Sequence, residues 1–182
     1  DLWIGVTENY KTFKSMGLKN QIVPIHADAN TLPFADDYFD AIVSVDSYQY
    51  FGTEPDFMDA KLARLVKKGG TIALAFPGVK KELAGDLPYE MTLSWNNAKD
   101  EILRTFHSIP WWKELLEKSK EIEIDSIRAM QCHDDAWQDW LAVSENEYAE
   151  LARNDRISMG AGAGKHMNFI ALTATRRKSC AS

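Results

Sequence analysis

Short apolar runs alternate along this chain with amphipathic stretches, and no other feature limits the fold as much. Residues 22–25 (IVPI), 40–45 (DAIVSV), 71–76 (TIALAF), 122–130 and 168–175 (NFIALTAT) read as strands. TIALAF is almost wholly apolar, as a strand covered on both faces should be. Between these runs, 7–16 (TENYKTFKSM) reads as a helix with Tyr10, Phe13 and Met16 on one face and Thr7 as its N-cap. Residues 57–65, 111–118 (WWKELLEK) and 133–153 are also predicted helical, the first ending in the basic and glycine stop Lys67-Lys68-Gly69-Gly70. From 78 to 110 the pattern is irregular, and Gly160-Ala161-Gly162-Ala163-Gly164 reads as a flexible loop. Alternation of this kind implies an α/β, Rossmann-like architecture, a mostly parallel sheet with helices on both faces.

Composition narrows the function classes. At 182 residues, 45% hydrophobic and 26% charged, the chain has the make-up of a single globular domain spanning 1–182. A net charge of -6 leaves no basic stripe for nucleic acid, and Arg176-Arg177-Lys178 reads as a solvated end. No apolar run approaches the length of a membrane span. Cys132 and Cys180 form neither a metal-spaced pair nor a disulfide framework, which points to a reducing, cytoplasmic setting.

In an open α/β sheet, ligands bind beyond the carboxyl ends of the strands. Asp28 follows the IVPI run, Asp46 closes DAIVSV, and Asp1 opens the chain on DLWIGVTENY, which reads as the end of a strand entering a helix. Three acids at three strand ends would face one crevice; the plainer alternative makes each a helix cap or a solvated loop acid.

The run HADANTLPFADDYFDAIVSVDSY, followed by LVKKGGTIALAFPG, resembles class I S-adenosylmethionine-dependent methyltransferases. Asp28, Ala29, Leu32, Pro33, Phe34, Asp37, Phe39 and Asp40 carry that resemblance, with Lys68 where the family usually has proline. The resemblance implies a methyltransferase using S-adenosylmethionine and releasing S-adenosylhomocysteine, with 1–78 as its cofactor-binding part and 79–182 supplying further strands and substrate-covering inserts. It assigns Asp1 to the ribose hydroxyls, Leu2 and Trp3 to the adenine or ribose, and Asp28 and Ala29 to the adenine. Asp46 and Ser47 would border the methionine part, and Tyr48 the transferred methyl. The family's glycine-rich loop and first strand should precede Asp1, so an upstream part of the protein is expected to be missing here.

A general base would help a nitrogen, oxygen or acidic-carbon acceptor. The candidates are His107, His133 and His166; His133 leads HDDAWQDW, where Asp134 or Asp135 could orient it. The second half is rich in tryptophan, most of it expected in the core. Tyr50 and Trp95, with Tyr48, are the expected acceptor wall for a small organic molecule. No metal site is expected, and a homodimer stays open. A dehydrogenase would share the sheet plan, but no G-x-G-x-x-G and no Tyr-x-x-x-Lys pair is present. An inactive methyltransferase-like scaffold is the remaining alternative.

Overall fold

The computed structural model describes residues 5–145 and 148–178, which form two compact units, 1–34 and 35–182. The described residues of the first unit hold helix α1 (Val6–Ser15) and the 3-10 turn Ala29–Thr31. The helix starts one residue before the expected Thr7, with Gly5 at its N-cap. The expected IVPI strand does not form: 22–28 has no regular structure, and Val23 and Ile25 are exposed. A strand exists through its ladder to a neighbour, and among the described residues of this unit there is none to pair with.

The second unit contains a four-stranded sheet of β1 (Phe39–Val45), β2 (Val66–Val79), β3 (Ile122–Ala129) and β4 (Met167–Arg176), in the order β1-β2-β4-β3. β1 runs parallel to β2, while β4 lies antiparallel to both β2 and β3. Three strands therefore share one direction and β4 alone opposes them, which is the expected Rossmann-like α/β sheet with a reversed strand. β2 and β4 are its centre, and their alternate residues Ile72, Leu74, Phe76, Ile170, Leu172 and Ala174 are buried. β1 is an edge strand with Val43 and Val45 exposed, because only β2 pairs with it among the described residues.

The glycine stop before TIALAF has a definite cause. Gly69 takes a left-handed φ of 83°, and a Cβ on Gly70 would come within 2.6 Å of the Asp40 carbonyl oxygen. The chain thus bulges between the pairings Phe39–Val66 and Ala41–Thr71, and only glycine fits the close approach. Lys67 and Lys68 enter β2 rather than closing a helix, bridging to Asp40 at 2.7 Å and Glu121 at 2.9 Å. The preceding helix is irregular, with a π-helical turn over Met58–Leu62 and a 3-10 turn over Ala63–Leu65. Its apolar residues Met58, Leu62 and Leu65 are still buried as an amphipathic face requires.

The segment read as irregular holds α2 (Tyr89–Trp95) and α3 (Lys99–Thr105), followed by α4 (Ile109–Leu116). The predicted 133–153 helix is two, α5 (His133–Leu141) and α6 (Ala149–Gly160). Short amphipathic helices broken by turns leave too few periods to be read from spacing alone. Trp112 of α4 packs on Phe76 with ring centroids 4.8 Å apart. Phe169, one residue from Ile170 and so on the opposite face, meets His133 and Trp137 of α5. Helices consequently cover both faces.

A second core lies beneath α2, α3 and α6, where Leu87, Met91, Ile102, Ala163 and Met167 are buried against Trp95, Trp137 and Met159. Ala163, in the expected flexible GAGAG loop, is wholly buried, so that segment is a packed turn with Gly162 at φ 97°. Arg176 is not a solvated end either. Its side chain, 8% exposed, bridges Asp37 at 2.6 Å and donates to the carbonyls of Arg64, at 2.8 Å, and Val66.

Candidate functional site

β1 ends where its ladder with β2 ends. The Asp46 N–H still donates to the Ala75 carbonyl at 2.8 Å, but Asp46 takes φ 50°, a left-handed conformation rare outside glycine. Holding it there costs about 1 kcal/mol or more, and such strain gathers at functional turns. The chain leaves the sheet into the 3-10 turn Tyr48–Tyr50 at the carboxyl end of a parallel strand. That turn is the candidate site.

Its polar groups are tied together. Gln49, wholly buried, donates Nε2 to Asp46 Oδ1 at 3.0 Å, and its Oε1 has no hydrogen-bond partner. Buried acceptors are almost always satisfied, so this orphan is unusual. The Ser44 and Ser47 hydroxyls lie 2.8 Å apart and brace the corner. Burial raises the pKa of the Asp46 carboxyl, against the opposing pull of the Gln49 amide. The Tyr50 hydroxyl is also raised, first by burial and then by the charges of Asp46 and Glu101. Glu101 stands on α3, where Arg104 donates Nη1 to the Tyr50 carbonyl at 3.3 Å.

Tyr48 does not line this turn. It is fully buried among Phe51, Phe57, Phe76 and Trp112, with its hydroxyl unpartnered, and a Cβ on Gly52 would overlap its ring. Burial drives its pKa up. Tyr48, expected at the transferred methyl, thus packs in the core with its hydroxyl away from the exposed side of the turn. Tyr48 and Tyr50 differ by two in a tight turn, so one ring points inward and the other outward, 44% exposed.

Trp95 is likewise a packing residue. Its ring lies 6.0 Å from Trp137, and its indole N–H donates to Asp155 Oδ1 at 2.7 Å. Trp140 donates to the other Asp155 oxygen at 2.8 Å, so one carboxylate ties α2, α5 and α6 together. Nothing in the sequence flagged Asp155, because its partners lie on other helices.

Each candidate histidine is held by an acid. His133 is 7% exposed, with Nδ1 2.8 Å from Asp134 as expected, while its Nε2 is buried and unpartnered. His166 Nε2 is 3.1 Å from Glu90. His107 stacks on Trp111 with centroids 3.6 Å apart, and its Nδ1 lies 2.6 Å from Glu82. Glu82 also accepts from the Ser108 N–H and hydroxyl, at 2.9 and 2.7 Å; burial pushes its pKa up, but the His107 bond and then the Ser108 bonds outweigh it and hold the carboxyl below its ordinary value. This Glu82–His107–Ser108 group was not anticipated, since Glu82 falls in the stretch read as irregular.

Within the first unit, Asp28 caps the Ala29–Thr31 turn, accepting from the Asn30 N–H at 2.8 Å and the Asn30 amide at 3.0 Å. A groove of about 440 Å³ in the same unit is lined by Val6, Phe13, Ile22, Ile25 and Ala27, ending beside these residues. Asp1, Leu2 and Trp3 lie outside the described residues, as does Cys180. The second unit has a cleft of about 380 Å³ along Gly52, Asp56, Asp59, Ser119 and Lys120, which begins two residues after the Asp46–Tyr50 turn. Among the described residues no group of His, Cys, Asp and Glu is arranged to hold a metal ion.

Residues 5–74 match a family described as a methyltransferase domain. No curated protein sequence matches the chain. Among solved structures, it is similar to a proposed sarcosine dimethylglycine methyltransferase from Galdieria sulphuraria, at 14% identity and TM-score 0.68, covering 94% of this chain and 65% of that one. It is similar to geranyl diphosphate C-methyltransferase from Streptomyces coelicolor A3(2), solved with Mg2+, geranyl diphosphate and S-adenosyl-L-homocysteine, at 12% identity and TM-score 0.65. That match covers 94% of this chain and 58% of the other. The cyclase SpnF matches at 19% identity and TM-score 0.63, over 94% of this chain and 62% of its own. The chain thus spans less than two thirds of each of these structures, and what it shares with them is the class I methyltransferase fold.

Proposed function

We propose, for a chain that has the class I methyltransferase fold and matches a methyltransferase domain over 5–74, that it transfers a methyl group from S-adenosylmethionine to a small-molecule acceptor. The observation that carries this reading is the strained turn at the carboxyl end of β1, where Asp46 and Gln49 sit at the place α/β sheets use for ligands. The orphaned Gln49 Oε1 fits a polar ligand there, being a buried acceptor the fold leaves without a donor. The bound donor would supply an already activated methyl on a sulfonium.

The chain's own residues then bind and orient. Asp46 and Ser47 border the reacting end, and Tyr50 presents an exposed ring to the acceptor. Asp28 and Ala29 serve the adenine, with Asp28 turning from its Asn30 cap to an exocyclic amine. Asp1, Leu2 and Trp3 keep the ribose and adenine roles implied by family resemblance. Positioning the acceptor in line supplies much of the rate. His133, with its Nδ1 2.8 Å from Asp134, is the base candidate of this reading. The reading treats the chain as one cofactor-and-substrate domain in a cytoplasmic protein; no helix among the described residues is long and apolar enough to cross a membrane.

Similarity to the cyclase SpnF favours a second reading, the same fold used without methyl transfer. Paired substitutions in the full-length protein separate the two. Asp28→Ala should raise the KM for the donor about tenfold or more and leave the acceptor KM unchanged; Tyr50→Leu should do the reverse. Equal effects on both constants would refute this division of roles, and absence of any methyl transfer would favour the second reading.

A further inference from the structure

We infer that Glu82 and His107 form a clasp that pins the returning limb of the excursion 80–107 and, through Arg104, positions the Tyr50 turn. That Tyr50 meets the acceptor rests on the methyl-transfer reading above; the clasp does not. The chain leaves the sheet after Val79 and comes back to it at Ser108, which pairs with Val79 in a parallel bridge. The Val79 N–H donates to the His107 carbonyl at 3.2 Å. The limbs meet so closely that a Cβ on Gly78 would come within 2.7 Å of the same carbonyl oxygen.

One carboxylate spans that junction. Glu82, on the outgoing limb, holds His107 Nδ1 with one oxygen at 2.6 Å. Its other oxygen accepts from the Ser108 N–H and hydroxyl. Ser108 is the N-cap of α4, yet its hydroxyl bonds Glu82 and caps nothing in its own helix. The carboxylate stands in for that cap, an anion at the positive end of α4.

The His107 ring passes the hold on to α3. Its Nε2 faces the Arg104 carbonyl at 3.1 Å while Nδ1 faces Glu82, so both ring nitrogens meet acceptors. A neutral imidazole donates at one nitrogen, and the ring serves both acceptors when it carries two protons. From α4 the ring meets the uncharged indoles of Trp111 and Trp112, and among the described residues Glu82 is its one ion-pair partner. Arg104 in turn donates Nη1 to the Tyr50 carbonyl at 3.3 Å. α2 is tied separately to α6 by Ser94 and Trp95, so the clasp governs α3 and the returning limb.

Hydrogen exchange of the ligand-free full-length protein, read amide by amide, tests this in wild type, Glu82→Ala, His107→Phe and Arg104→Met. His107→Phe keeps a ring on Trp111 and deletes both bonds. Glu82→Ala and His107→Phe should each speed exchange at 103–108 about tenfold or more and at 50–52 about threefold, with 170–172 in β4 unmoved. Arg104→Met should speed 50–52 alone. In wild type, protection at 103–108 should fall as rising pH titrates the ring, followed by its nitrogen shifts, and His107→Phe should lack that step. Equal acceleration across the sheet would make the pair a general stabiliser and overturn the clasp. So would unchanged exchange at 103–108, a wild-type profile without the pH step, or protection at 50–52 untouched by all three variants. No donor is present in these measurements, so failure to bind S-adenosylmethionine would sink the methyl-transfer reading and leave the clasp standing.

Discussion

Arg176 joins the last strand to the start of the sheet, and removing its head group should be costly. Arg176→Met keeps the aliphatic stem and deletes the guanidinium, which leaves the Val66 carbonyl without its charged donor. The Arg64 carbonyl loses one donor but keeps the Asp37 N–H at 2.9 Å. Asp37, whose side chain is 55% exposed, can return to water. A charge-assisted bond contributes about 1.5–3 kcal/mol, and an exposed carboxylate partner about 1 kcal/mol or less. The sum is about 2–4 kcal/mol, or a fall in Tm of about 5–12 °C for a chain of this size.

Urea unfolding of wild type, Arg176→Met, Asp37→Asn and the double variant measures it, and Asn tolerates the left-handed φ of 56° at position 37. The expected coupling between Arg176 and Asp37 is about 1 kcal/mol, with most of the arginine's effect persisting in the Asp37→Asn background. A loss below about 0.5 kcal/mol, or a coupling as large as the whole effect, would refute the claim that the backbone carbonyls dominate.

Tyr48→Phe removes a buried hydroxyl that has no partner, so it should leave stability unchanged or slightly raised and methyl transfer within about twofold, measured by urea midpoint and initial rates. A large loss of rate at unchanged stability would restore Tyr48 as a catalytic residue. Glu90 is depressed from 4.5 to about 2, first by its hydrogen bond from Lys165 and with help from His166. Because the folded value is the lower one, its contribution is complete above about pH 4.5 and is lost as pH falls toward 2. Urea midpoints followed over that range should fall less steeply in Glu90→Gln than in wild type; identical slopes would contradict the assignment.

What the sequence makes legible are elements that carry their own reason. TIALAF is a strand in any context that covers it, and Gly69-Gly70 announces a bend that no larger residue fits. The family resemblance over 28–40 and 65–70 is equally local, and it leads to the carboxyl end of β1. IVPI forms no strand because apolar character alone does not make one, and no segment among the described residues pairs with it. Tyr48 and Tyr50 could not be told apart, since which of two rings in a 3-10 turn faces inward depends on how the turn sits against the sheet, which spacing does not reveal. Glu82, Glu101, Asp155 and Arg176 matter through partners far away in sequence, and a single chain read along its length gives no sign of them.

The central claim, a methyl-donor pocket that includes the turn after β1, is tested most directly by titrating S-adenosylhomocysteine into the isotopically labelled full-length protein and following backbone amide shifts. The account predicts saturable shifts concentrated at 28–29 and 46–50, with the amides of 115–120 unmoved. Shifts confined to the cleft along 52–59 and 115–120, or no shifts at all, would contradict it.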